Sequence, residues 1–324
     1  MEVINQRTDE IFQCNVTFQT STKPMDTDEA FDFEGLQSVG RKCLKEKDHD
    51  KFISFNELSI SDFPEPYRHL NFLTLARSLG DLVVKIELSK TSPDRPNNFP
   101  RYCRFGTGKI TFSKIIKGTK SRHCICRDCR TSSEPQTEWA EIKVTTAAHV
   151  IFNLFEAENA VCILHFNQKD ATNIVTLKEK DTENVSVNND RSTVIFVTHD
   201  IKLASTLRKS IYFFKRQHTK IFNEFNILAD HKLAILISHP HGEPKQVSLG
   251  TYTKTEIDGK RFKDKVYTKY TYDLHSCPGS SGAPLYFLGK KDVWSLHPHS
   301  GSTSNGNAGN IVSTGHSSTE WEKV

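Results

Sequence analysis

An all-β chain of two tandem units is the fold class this sequence predicts, and three observations predict it. Short β-prone segments follow one another at residues 82–88, 101–112, 141–146, 160–166, 173–177 and 193–197, with turn-forming residues between them. A second series covers 232–238, 245–253, 265–272, 283–288, 292–296 and 310–313. Between the two, residues 203–225 interleave basic residues with Ile211, Phe213 and Phe214, as an amphipathic connector does. Many short strands with regular turn signals indicate a barrel or a sandwich in each unit.

A length of 324 residues is enough for two compact units with real cores. The formal charge of +4 is weak and evenly spread, so nucleic acid is not an expected partner. The N-terminus is acidic in places and has no apolar stretch of signal-peptide length, and no later segment reaches the ~20 apolar residues of a membrane span. A soluble cytoplasmic protein is expected. Its eight cysteines are then thiols or metal ligands rather than disulfides.

Taken in order, residues 1–65 are polar and lack periodicity, and are expected to form a poorly ordered or accessory extension. The first unit is placed at 66–222 and the second at 223–324. Tyr67, Leu70, Leu73, Leu75 and Leu79 have roughly helical spacing after Pro66, with Gly80 where a helix would stop, so a short helix opens the first unit. Strand 82–88 is closed by the turn-rich 91–100. Gly106 and Gly108 then suggest a bend or bulge where a strand passes close to another backbone.

The chemistry centres on residues 277–286, CPGSSGAPLY. Gly279 can take positive φ, which lets its N–H and that of Ser281 point at one spot beside the Ser281 hydroxyl. That is the geometry of an oxyanion hole. A serine hydroxyl is a weak nucleophile at neutral pH and needs an imidazole base oriented by a carboxylate. His149, ending the run TTAAH, and Asp200, ending a strand, precede Ser281 in a usable order. Asp190, in the polar loop VNNDRS, is the rival for the carboxylate.

At these residues the chain resembles the trypsin-like peptidase superfamily. The resemblance covers roughly residues 80–315 and rests on Gly106-Thr107-Gly108, Thr146-Ala147-Ala148-His149, His199-Asp200-Ile201 and Gly279 to Pro284. It implies two six-stranded antiparallel β-barrels. It also implies a serine endopeptidase with His149, Asp200 and Ser281 as the triad, Gly279 and Ser281 as the oxyanion hole, and no cofactor for catalysis. Protein or peptide substrates are the implied partners. Within the superfamily it is most similar to the intracellular HtrA-like and glutamyl-endopeptidase-like branch. Secreted members pair a freed N-terminal amine with an aspartate just before the serine, and here Ser280 stands there.

The same resemblance makes His275 and His297 candidates for a pocket preferring Glu or Gln before the cut. Two imidazoles favour an acidic or amide side chain by hydrogen bonding. The alternative, from a different functional class, is an inactive relative that binds extended peptides in the same cleft.

A second cluster, His123-Cys124-Ile125-Cys126-Arg127-Asp128-Cys129, can clamp a soft ion such as a structural zinc, with His123 or Cys162 completing the ligands of Cys124, Cys126 and Cys129. Cys277 is expected to be a free buried thiol. His239-Pro240-His241-Gly242 is expected to be a turn.

Overall fold

In the computed structural model, the described residues are 43, 45–96, 99, 105–119, 121–124, 126–225, 232–262, 265–290, 297–304, 313–317 and 320–323. The expected strand at 292–296 and most of that at 310–313 lie outside this set, as do residues 1–42 of the N-terminal extension.

The strands are β1 (Ile53–Ser54), β2 (Val83–Leu88), β3 (Phe105–Lys117), β4 (Glu138–Thr146), β5 (Ala160–Leu164), β6 (Val175–Ser186) and β7 (Arg191–Thr198), followed by β8 (Leu233–Ser238), β9 (Gln246–Phe262), β10 (Lys265–Tyr272), β11 (Leu285–Phe287), β12 (His299–Ser304), β13 (Ser313–Ser317) and β14 (Glu320–Lys323). The α-helices are α1 (Leu70–Gly80), α2 (Arg127–Arg130), α3 (Leu154–Glu158) and α4 (Ile201–Phe225).

Six strands close the first barrel in the order β2-β3-β4-β7-β6-β5, every neighbour antiparallel. The second unit runs β11-β8-β9-β10-β13-β12, with β1 added to β9 and β14 to β10. Its ends meet where Pro284 bridges Pro298. There the Leu285 N–H donates to the His297 carbonyl at 3.1 Å and the His299 N–H to the Ala283 carbonyl at 2.8 Å. The two-barrel, all-β architecture expected from the sequence is therefore present.

Gly106 and Gly108 serve close packing rather than a bulge. A Cβ at Gly106 would lie 2.4 Å from Val150 Cγ1, and one at Gly108 2.6 Å from Val144 Cγ1. The irregularity in the β3–β4 pairing falls later, between Ile110 and Phe112.

The stretch expected as an amphipathic connector is the 25-residue helix α4. Its buried positions, Ala204, Leu207, Ile211, Phe214, His218 and Ile221, recur every three or four residues and so form one face of the helix. That face lies on the first barrel through Lys109 Nζ over the Phe214 ring at 4.8 Å. It reaches the second barrel where His218 meets Tyr286 edge-on at 5.8 Å. Helix α1 forms as expected and packs beside α4, with the Phe72 and Phe225 rings 4.8 Å apart.

Within the part of 1–65 that is described, residues 53–65 belong to the folded body. β1 pairs Ile53 with Val247, and Phe55, Leu58 and Phe63 are buried in the main core. The apolar residues Phe52, Ile53, Phe55, Leu58, Ile60 and Phe63 mark this stretch, and the polar average over residues 1–65 hides it. Among the described residues, no helix is long and apolar enough to cross a membrane.

Candidate active site

A set of short bonds holds the turn bearing Ser281 against the corner of the first barrel that leads into His149, with no hydrogen bond between Ser281 Oγ and His149 Nε2. On the first barrel, Thr107 in β3 donates its N–H to the Ser281 carbonyl at 2.8 Å and its hydroxyl to the Gly279 carbonyl at 2.8 Å. Thr146, at the end of β4, donates its hydroxyl to the Thr107 carbonyl at 2.7 Å. Gly282 fits against this corner with φ +81, so closely that a Cβ would lie 2.1 Å from Thr146 Oγ1 and 2.8 Å from the Ala147 nitrogen. The serine turn thus abuts the segment that leads into His149. Both residues are almost fully buried among the described residues.

The carboxylate facing His149 belongs to Asp190. His149 Nδ1 lies 2.9 and 2.8 Å from the two Asp190 oxygens, and the His149 backbone N–H donates to the same group at 3.0 Å. The Ser300 hydroxyl, on β12, also donates to Asp190 Oδ2. Asp190 sits at φ 48 in the turn between β6 and β7, a conformation aspartate tolerates better than most residues.

Asp200, the residue expected in this role, is elsewhere. Its exposed carboxylate accepts the Leu203 N–H at 2.9 Å and caps helix α4. An aspartate at the end of a strand is as good a signal for a helix cap as for an orienting carboxylate, and here it is the cap. The order of histidine, aspartate and serine along the chain is unchanged.

The turn itself separates its amides into two groups. Ser280 N–H donates to the Cys277 carbonyl at 2.8 Å, Gly282 N–H to His299 at 2.7 Å, and Ala283 N–H to Ser280 at 3.0 Å. Among the described residues the N–H groups of Gly279 and Ser281 make no such bond, and Ser281 Oγ has no hydrogen-bond partner. Gly279 adopts φ +98, with the space for a Cβ taken by the His239 carbonyl at 2.6 Å and the His241 nitrogen at 2.9 Å. Only glycine fits this position. Ser280 turns inward, its hydroxyl 3.1 Å from that of Ser238.

The two pocket histidines expected from the sequence sit in different surroundings. His297 is buried in the second barrel, with Nδ1 3.2 Å from Ser317 Oγ and its ring edge-on to Tyr270 at 5.0 Å. His275 is half-buried, and its carbonyl accepts the Ser248 hydroxyl. His299, two residues beyond His297, is fully buried, and its backbone is bonded to Gly282 and Ala283, the two residues that follow Ser281. The Tyr272 hydroxyl hydrogen-bonds its Nδ1. With that hydroxyl donating, the neutral ring carries its proton on Nε2.

The cysteine cluster also takes a different fourth member. Cys124, Cys126, Cys129 and His199 bring one ligand atom each to within 4.8 Å of one another. His199 Nε2 lies 3.8 Å from Cys126 Sγ and 3.6 Å from Cys129 Sγ. Amides point at the sulfurs: Cys126 N–H at Cys124 and Cys129 N–H at Cys126, both at 3.5 Å, and Gln136 N–H at Cys129 at 3.4 Å. Burial pushes the Cys124 thiol up to about 12.

Cys162 and His123, the expected completing ligands, lie outside this group. Cys162 is enclosed in the first barrel on β5, where burial raises its thiol further still. His199 lies directly between the end of β7 and Asp200. The turn into α4 is what carries it to the cysteines.

No protein-family profile and no curated protein sequence matches the chain. Among solved structures, the chain is similar to the Rv3671c protease from M. tuberculosis. The active form is 14% identical with a TM-score of 0.38, covering 79% of this chain and 83% of that one. The inactive form gives 14% and 0.38, covering 79% and 91%.

Proposed function

We propose that the protein is a serine endopeptidase. The observation that carries the reading is the pairing of His149 Nδ1 with the Asp190 carboxylate on the corner against which the Ser281 turn is bonded. In the proposed reaction, His149 Nε2 takes the Ser281 proton as Oγ attacks the scissile carbonyl, and returns it to the leaving amine. Asp190, steadied by Ser300, holds the imidazole in the tautomer that leaves Nε2 able to accept, and stabilises the imidazolium as it forms. The Gly279 and Ser281 N–H groups receive the oxyanion. Water then releases the acyl group by the same steps in reverse.

The substrate is an extended peptide, with Glu or Gln favoured before the cut. His299 joins His275 and His297 as a candidate for this pocket, because its main chain is bonded to the serine turn; in the proposed arrangement the Tyr272 hydroxyl donates to its Nδ1, which leaves the ring proton on Nε2. Cys124, Cys126, Cys129 and His199 form a structural site for zinc, which holds the 123–130 loop to the start of α4 and takes no part in the reaction.

The test is covalent labelling. A fluorophosphonate probe is expected to modify Ser281 in the wild type and to leave Ser281→Ala and His149→Ala unlabelled. Absence of labelling across the pH range, in folded protein that still binds peptide, would replace the enzyme with the peptide-binding relative.

A further inference from the structure

A second group of metal-type ligands stands beside the oxyanion turn, and the catalytic reading does not use it. Cys43 and His49, from the N-terminal segment, meet His241 and Cys277, from the two turns that enclose Gly279. The two sulfurs are 3.8 Å apart and the two Nε2 atoms 3.2 Å apart. All four ligand atoms lie within 4.8 Å of one another.

These spacings have a specific meaning. With metal–sulfur bonds of about 2.3 Å and metal–nitrogen bonds of about 2.0–2.1 Å, a tetrahedral zinc ion sets its two sulfurs roughly 3.8 Å apart and its two nitrogens roughly 3.3 Å apart. Both like-atom edges are met. The sulfurs are too far apart to be bonded, since a disulfide holds them at about 2.05 Å. Two imidazoles that present Nε2 to each other can share at most one proton between them, whereas a cation takes both lone pairs.

Independent features support the site. His241 sits at φ 57, where a non-glycine residue is strained. That conformation puts its ring beside His49, with centroids 5.0 Å apart. Lys45 Nζ donates to the Ser276 carbonyl at 3.0 Å, fastening the chain between Cys43 and His49 to the residue before Cys277. The His241 N–H donates to the Pro278 carbonyl at 2.5 Å.

We propose that Cys43, His49, His241 and Cys277 form a Cys2His2 site for a zinc-class divalent cation, which clamps the N-terminal segment to the turn bearing Gly279. Binding converts two thiols to thiolates and releases two protons, with both imidazoles neutral. The turn expected at 239–242 is present, and it supplies one of the ligands. Cys277, expected to be a bystander thiol, supplies another. Bonded across Gly279 in this way, the cation fixes the position of its N–H. The binding claim stands whether or not Ser281 is a nucleophile.

The experiment measures metal rather than turnover. Full-length protein is loaded with zinc, freed of excess and assayed by elemental mass spectrometry. Cys43→Ser/His49→Ala is expected to lose one zinc per chain relative to wild type, whereas Cys126→Ser/Cys129→Ser loses a different one. An unchanged zinc content in the first variant would overturn the site. In the wild type, alkylation mapped by mass spectrometry is expected to spare Cys43 until a chelator is added. Equal labelling with and without chelator, or a Cys43–Cys277 disulfide in the reduced preparation, would also overturn it.

Discussion

The Nδ1 of His149 lies 2.8 Å from a carboxylate oxygen of Asp190, an aspartate in a hairpin turn, while Asp200 caps a helix in solvent. The two substitutions therefore separate. Asp190→Asn is expected to lower kcat by about 10⁴, the cost of presenting the wrong imidazole tautomer. Asp200→Asn should leave it unchanged, since asparagine caps as well as aspartate. Peptide hydrolysis under single-turnover conditions measures both. The reverse ranking would return the orienting role to Asp200.

Behind His149 stands a second buried pair. Arg95 and Glu156 are both fully enclosed and form a two-point contact at 2.5 and 2.9 Å. The same guanidinium donates to the carbonyls of His149 and Val150 at 2.8 and 3.1 Å. Arg95→Ala strands a buried carboxylate and is expected to cost about 3–5 kcal/mol. Arg95→Lys should recover little, because a single ammonium cannot reproduce the fork. Urea midpoints at constant slope decide it. A cost below about 1 kcal/mol would mean that the pair is not an ionic brace.

Preference at the residue before the cut should depend on Tyr272. Tyr272→Phe removes the hydroxyl that, in the proposed arrangement, donates to His299 Nδ1, and is expected to reduce the Gln-over-Ala ratio of kcat/KM by roughly tenfold, the worth of one buried hydrogen bond. His299→Leu should abolish the preference, whereas His297→Ala should leave it. Loss of preference in His297→Ala alone would move the pocket back to that residue.

Lys245 is buried, its ammonium 2.5 Å from the Gly80 carbonyl and 4.8 Å above the Phe55 ring. Loss of hydration lowers its pKa from 10.5 to about 7, partly offset by Asp81. Between those values the unfolded chain holds a proton that the folded one lacks, so this residue makes stability rise with pH, by up to about 1.4 kcal/mol per pH unit. The penalty of keeping it charged is full below pH 7 and relieved as pH climbs toward 10.5. Wild type minus Lys245→Met in denaturant titrations across that range should show the slope. A flat difference would place the charge in water.

The ligand set of the cysteine cluster is tested by which histidine matters. His199→Ala is expected to lose one zinc per chain and to lower the melting temperature. His123→Ala and Cys162→Ala should keep the metal. If His123→Ala removes it instead, the set read from the sequence is the correct one.

Local sequence determined much of this protein. The serine turn was legible because a glycine forced to φ +98, and a second glycine where a Cβ would lie 2.1 Å from a threonine hydroxyl, leave their mark as residue identity. The strands and the amphipathic stretch of α4 were legible because burial of one face imposes a period of two or of three to four on the chain. Tertiary structure alone decided which aspartate meets His149, which histidine joins the cysteines, and that Cys43 and His49 stand against His241 and Cys277. Partnership across the fold depends on where loops end in space, and carboxylates, imidazoles and thiols look the same in sequence whether they meet a partner or water.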